Sequence, residues 1–212
     1  MFPKDSIKDN KVSEPAAMEK GHDPAPGECP LTPGCIAALR DFFAAVDAAA
    51  LQAAYAATNN FPLDKVDWQQ VEYDFNRLFV GPAAPAAPPY ASVYLDENDD
   101  LMGKSTLGIR QLYNSLGMQV PDPGALPDDF ISYELDALLV ILGQQPLDMK
   151  ALKSLVSRHM GAWVPAFCER CRQADRVPQP VRHMVDLLES LVHTLSQSIT
   201  NPVPDSNSKG DR

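Results

Sequence analysis

Cys168 and Cys171 form a C-x-x-C within the stretch AFCERCRQ, the spacing of a thiol–disulfide pair or of half a zinc site. No second C-x-x-C follows and no histidine pair sits at finger spacing, so a four-ligand metal centre is not assembled. Cys29 and Cys35 are the other local pair. With no export signal expected, the thiols read as reduced and incidental, with no metal or cofactor implied. Asp128 and Asp129 are adjacent carboxylates at a predicted helix start, where capping and the helix dipole explain them better than acid–base catalysis. His159, His183 and His193 fall in helical segments and His22 near the N-terminus, none in a motif that sets an imidazole beside a nucleophile. Gly103-Lys104-Ser105-Thr106 spells the end of a phosphate-binding loop, but position 98, where that loop needs glycine, is Asn, and acids at 96–100 repel phosphate. The residues therefore predict no catalytic site. Two rivals stay open: a small redox or zinc-binding protein using Cys168/Cys171, and an enzyme using Asp128, Asp129 and Glu134.

The elements that must position these side chains are helical. A period of three to four runs through Ile36, Leu39, Phe43, Val46 and Ala50 to Tyr55, which predicts one first helix closed by Asn59-Asn60-Phe61-Pro62. Asp67 with Gln70 three residues on is a capping-box pattern for a second helix, carrying Trp68, Val71, Phe75, Leu78 and Phe79 on one face and ended by Gly81-Pro82. Ser105 or Thr106 is expected to cap a third helix, through Leu116. A fourth, opened by Pro127-Asp128-Asp129, is apolar nearly all round from Phe130 to Leu142 and should be central and buried. Leu147–Met160, a short helix starting at Pro165 and a last one from Pro180 to Ile199 complete the set. Ser92-Val93-Tyr94-Leu95 is the nearest thing to a strand, and it is short. The expected fold is all-α: a single-domain helical bundle over residues 35–200, with a long Pro/Ala-rich loop and flexible tails at 1–34 and 201–212.

The 212 residues carry a net charge of −10 and 45% hydrophobic residues, normal for a globular chain and unsuited to sequence-independent nucleic-acid binding. Residues 90–150 hold ten acids against three bases, an acidic centre that would speed association with a basic partner. The longest unbroken apolar run, Ala137 to Leu142, is far short of a membrane span, and the N-terminus lacks a secretory core, so a cytoplasmic location is expected.

One stretch fits none of the ordinary classes. Residues 79–96, FVGPAAPAAPPYASVYLD, are too apolar for a solvent loop and too rich in proline for a helix. Arg77-Leu78-Phe79-Val80-Gly81-Pro82, then Pro88-Pro89-Tyr90-x-Ser92-Val93-Tyr94-Leu95-Asp96, then Gly103-x-Ser105-Thr106 resemble the TorD/DmsD family. Pro127-Asp128-Asp129-Phe130-Ile131-Ser132-Tyr133-Glu134-Leu135 resembles that family's P-x-D-H-I-x-x-E-L landmark, and His159, Trp163, Pro165 and Phe167 match a later H-x-x-x-W-x-P-x-F pattern. The resemblance covers roughly residues 36–200.

It implies an all-α cytoplasmic chaperone without a catalytic reaction. Its partner would be the twin-arginine leader and apo form of a molybdopterin oxidoreductase catalytic subunit, of the dimethyl sulfoxide or trimethylamine N-oxide reductase type. The chaperone would hold that subunit back from export until its cofactor is inserted, and would act as a monomer or a domain-swapped dimer. Such a leader joins basic and apolar segments, so its receptor needs an apolar groove beside negative charge. Leu78, Phe79, Pro88, Pro89, Tyr90, Tyr94, Phe130 and Trp163 are the expected apolar surface, and Asp128, Asp129 and Glu134 the carboxylates expected to face the arginines. Phe130 departs from the family pattern, which usually has histidine there. The exchange removes the ring nitrogens and any protonation switch, leaving Asp129 to carry the motif's polar role.

Overall fold

The structure, a computed structural model, describes residues 32–58, 65–96, 104–120 and 126–201. Its helices are α1 (Pro33–Phe43), α2 (Ala48–Ala57), α3 (Trp68–Phe79), α4 (Ser92–Leu95), α5 (Lys104–Ser115), α6 (Ile131–Leu142) and α7 (Met149–Leu152). A π-helical stretch (Lys153–Met160) continues α7 and passes into α8 (Gly161–Gln173), and α9 (Gln179–Thr200) closes the bundle. Tyr90 and Phe130 form an isolated antiparallel β-bridge, and no strand occurs among the described residues. The all-α expectation holds. The two predicted tails, Asn59-Asn60-Phe61-Pro62, Gly103 and Cys29 lie wholly or almost wholly outside the described residues.

α6 is the central helix, as its composition predicts. Ile131, Leu135, Ala137, Leu138 and Ile141 are fully buried, and the helix packs on α1, α7 and the π-helical stretch. Around it runs a chain of edge-on aromatic pairs: Phe42–Phe75 at 5.7 Å, Phe75–Phe79 at 4.9 Å, Phe43–Phe79 at 5.8 Å and Phe43–Phe167 at 5.9 Å. These rings join α1, α3 and α8, and each such pair adds about 0.5–1.5 kcal/mol beyond its buried area. Tyr55 reaches from α2 to α9, its hydroxyl 2.7 Å from His183 Nδ1.

Local chemistry explains most helix ends. Asp67 accepts the Gln70 N–H at 3.1 Å, while the Gln70 side chain turns to Asp74 rather than back to the cap, so half of the capping box forms. The predicted first helix is two. Asp47 accepts the Ala50 N–H at 2.8 Å and starts α2, so the chain breaks at Ala44–Asp47 and leaves Val46 in the link, 83% exposed. α5 is capped from outside: Ser105 is within the first turn, and its hydroxyl and N–H both go to the Asp96 carboxylate, at 2.6 and 3.2 Å. Pro165 does not start a helix. It lies inside α8, just after the register of the ladder changes at the end of the π-helical stretch, and the buried Trp163, Val164 and Phe167 hold the helix continuous through it. Ser92–Leu95 is the helix α4 rather than a strand.

The proline-rich stretch is a strap fastened at both ends. The Ala87 N–H donates to Leu78 O at 2.8 Å, Arg170 Nε donates to Ala86 O at 2.7 Å, and the Tyr94 hydroxyl donates to Pro88 O at 3.0 Å. Two further bonds cross to the start of α6, Ala91 N–H to Asp129 O and Ile131 N–H to Pro89 O, both at 3.1 Å. Prolines suit such a strap because they have no N–H to leave unpaired.

Candidate functional site

The strap, the C-terminal ends of α1 and α3, the α1–α2 link and the first turn of α6 enclose a cleft of about 490 Å³. Its floor is Phe43, Phe79, Pro89, Tyr90 and Phe130, with Leu126 at one side. Phe130 stacks at a tilt on Tyr90, centroids 5.4 Å apart, and meets Tyr133 edge-on at 5.5 Å. Val46 and Val80, the latter 64% exposed, form apolar lips. At the rim, Arg40 Nη1 donates to Asp136 at 2.9 Å and the same guanidinium contacts Asp41 at 2.8 Å. The Ser132 hydroxyl donates to the Arg40 carbonyl at 3.0 Å, which pins α1 to α6.

Of the residues expected at a peptide surface, Phe79, Pro89, Tyr90 and Phe130 line this cleft together. Leu78 and Trp163 are fully buried in the core. Pro88 and Tyr94 are half-buried and away from the cleft, with Tyr94 stacked on Trp163 at 5.7 Å and the Arg170 guanidinium 5.9 Å from its ring. The three expected carboxylates also point elsewhere. Asp128 is buried and paired with Arg110. Asp129 is fully buried and accepts the Ser92 N–H at 2.5 Å, so it holds the start of α4, and neither aspartate caps α6. Glu134 is fully buried, 2.7 Å from His159 Nε2 and 3.1 Å from the Trp163 indole nitrogen. The acids exposed at the rim are Asp136, two residues further along α6, and Asp41, neighbour of Arg40. Spacing alone distinguishes Asp136 from Glu134 only once the inward face of α6 is known: residues two apart face different ways on a helix.

Behind the cleft these buried acids form a polar cluster. Burial raises the Glu134 pKa, against the charge and hydrogen bonds of His159 and Trp163. Burial works to lower the His159 pKa, but the Glu134 carboxylate outweighs it and the net direction is up. Tyr90, where it meets the cleft, is also raised, by burial and then by the Asp129 charge.

Cys168 and Cys171 lie fully buried between α8 and α9, where burial pushes both thiols up, Cys171 to about 12. That favours the unreactive thiol over the thiolate that redox or zinc chemistry needs. Among the described residues no group of three or more His, Cys, Asp or Glu is placed to hold a metal ion, and no helix is long and apolar enough to cross a membrane. A roomier cleft of about 760 Å³ lies between the π-helical stretch, α8 and α9. Its walls mix the hydroxyls of Ser157, Ser190, Ser196 and Thr200 with Val164, Pro165 and Val192 and carry no aromatic carbon ring, and its Asp186 and Glu189 are already tied to Arg172. The smaller aromatic cleft has the better means of holding an apolar ligand.

Fold and cleft together define an all-helical protein with an apolar, acid-edged groove. Residues 34–169 match the family model described as nitrate reductase delta subunit. The match spans more than half of the chain and includes every element around the cleft; the chain belongs to this family, which includes the TorD and DmsD proteins. The chaperone protein TorD of Vibrio cholerae is 35% identical over 122 residues, 53% of this chain and 55% of that protein. The Tat proofreading chaperone DmsD of Salmonella typhi is 32% identical over 97 residues, 45% of this chain and 46% of that protein. The chain thus spans about half the length of the curated relatives it matches. Among solved structures, a putative redox enzyme maturation protein from Archaeoglobus fulgidus is 17% identical, with 79% of this chain and 91% of that chain covered and a TM-score of 0.48.

Proposed function

We propose that this protein is a non-enzymatic, cytoplasmic chaperone of redox-enzyme maturation. It binds the twin-arginine leader of a molybdopterin oxidoreductase catalytic subunit, through residues 35–200, and retains that subunit until its cofactor is in place. The observation that carries this reading is the cleft itself: a floor of Phe43, Phe79, Tyr90 and Phe130 beside the half-exposed carboxylates of Asp41 and Asp136. The names of the relatives support the chaperone class. Burial of about 400 Å² of leader apolar surface would be worth up to roughly 10 kcal/mol gross. Association and peptide ordering remove much of this, so binding stays reversible, as release of a client requires.

Calorimetric titration with a panel of twin-arginine leader peptides tests the proposal. At least one leader should bind, with affinity reduced by Phe130→Ser or by Tyr90→Ala in a protein that still melts cooperatively. If no leader binds while the cofactor-free mature subunit does, the cleft reads the body of the client. If neither binds, the chaperone reading fails.

A further inference from the structure

Arg40 holds two carboxylates at the edge of the cleft and performs no other visible task with its guanidinium. Its side chain is 31% exposed, against 55% for Asp41 and 41% for Asp136, so all three charged groups remain in contact with water. Exposed pairs of this kind contribute about 0–1 kcal/mol and are readily exchanged. Arg110 differs: it pairs with a buried aspartate, Asp128. Nor is the Arg40 guanidinium needed to seat α1 on α6. The Ser132 hydroxyl bonds the Arg40 backbone carbonyl, and the fully buried Ile36, Leu39 and Phe42 supply the packing.

We infer that Arg40 is a built-in stand-in for an arginine of the bound peptide. Before a peptide binds, its guanidinium pairs with both Asp41 and Asp136 and offsets one of their two negative charges. When a peptide lays its apolar part on Phe43, Phe79, Tyr90 and Phe130, the peptide's own guanidinium takes the Asp136 carboxylate and Arg40 turns outward. The inference rests on the peptide-binding reading of the same cleft and adds to it a selection rule. An apolar peptide without a guanidinium gains only the floor and leaves the Arg40 pairs as they are. A lysine ammonium is a strongly hydrated point charge that cannot reproduce the flat, forked donor set it would displace. A guanidinium replaces like with like, so its pairing survives the exchange. The same arrangement weakens the pull of Asp41 and Asp136 on unrelated cations until a peptide binds.

The experiment titrates one leader peptide, in Arg-Arg, Lys-Lys and Ala-Ala forms, into the wild type, Arg40→Gln, Arg40→Lys and Asp136→Asn. Removal of the competitor should tighten the Arg-Arg peptide about threefold or more in Arg40→Gln. Arg40→Lys should give an intermediate gain, and the Ala-Ala peptide should bind all Arg40 variants alike. Asp136→Asn should erase the preference for Arg-Arg over Ala-Ala. Weaker or unchanged binding of the Arg-Arg peptide to both Arg40 variants would overturn the inference and leave the cleft as the binding site. The leader used is one that the panel shows to bind; if no leader of the panel binds the wild type in any form, the peptide-binding reading falls and this inference with it.

Discussion

Glu134 on α6 is fully buried and lies 2.7 Å from His159 of the π-helical stretch, while its second oxygen accepts the Trp163 indole N–H at 3.1 Å. One carboxylate thus fastens the π-helical stretch and the first turn of α8 to the central helix. The family resemblance predicts that this glutamate faces a client's arginines; it faces inward instead. Wider π turns are uncommon and persist where surrounding contacts specify them. The ties to Glu134, the buried Leu155, Val156 and Met160 and the close fit at Gly161, where a Cβ would come 3.1 Å from the Val156 carbonyl, are such contacts.

The Glu134–His159 pair makes stability depend on pH. Both pKa values are raised in the folded chain, so the folded state holds the pair's proton more tightly than the unfolded state does. The His159 contribution is fully present below its unfolded value of 6.5 and is lost as pH rises through the higher folded value. The raised Glu134 pKa acts in the same direction, from its ordinary value of 4.5 upward. Urea unfolding of the wild type should show stability declining from about pH 4.5 upward, with the His159 share of the slope added above about pH 6.5. His159→Gln should flatten that slope, and equal slopes would refute the linkage. Removing one partner, as in Glu134→Ala, should cost about 3–5 kcal/mol because the other is left buried and unpaired.

Lip and core should separate in mutants. Val46 and Val80 touch solvent, so Val46→Ser with Val80→Ser should shift stability by only about 0.5 kcal/mol each while weakening leader binding by up to roughly tenfold. Leu78→Ala should do the reverse, costing about 2–5 kcal/mol of stability with little change in affinity at temperatures where the variant is folded. Paired melts and titrations read both quantities.

Gly81 shapes the lip beside Val80. Its φ of +112° is open to glycine almost alone, and a Cβ there would lie 2.8 Å from the Ala83 carbonyl oxygen. Gly81→Ala should therefore destabilise by about 1–3 kcal/mol, and Gly117→Ala, at φ +71° with open space around it, should cost less. Thermal melts rank the two.

Buried, protonated thiols predict slow chemistry at Cys168 and Cys171. In native buffer neither should react with a disulfide reagent at a rate faster than local unfolding allows, and Cys168→Ala with Cys171→Ala should leave leader affinity unchanged. Rapid native-state labelling, or zinc bound stoichiometrically and lost in the double variant, would instead restore the redox or metal alternative.

Much of the fold was legible because its signals are local. Asp67 announces α3, the nearly uniform apolar run from Phe130 to Leu142 announces a central helix, and Gly81 with Pro82 announces a stop. The break at Asp47 was equally local and was missed, because the alanine-rich period runs through it and only the capping aspartate marks the new start. Pro165 misled in the opposite sense: proline favours a first helical turn, and here buried neighbours carry the helix past it. For the cleft, aromatic residues of the strap and of the α6 start were legible, whereas Phe43, Arg40, Val46 and Tyr133 were not, since they come from other segments.

By itself the sequence determined where most of the helical segments lie, that the bundle is all-α, and that an aromatic, proline-rich stretch lies in an acidic region. These are matters of periodicity, capping and composition, which act over a few residues. Only the tertiary structure decided which carboxylates are spent inside and which remain outside. Asp128, Asp129 and Glu134 are held by Arg110, Ser92, His159 and Trp163, at separations of 18, 37, 25 and 29 residues. Asp136 meets Arg40 across 96 residues and stays at the rim. A helix offers several faces, and the packing of distant segments selects the one that turns inward.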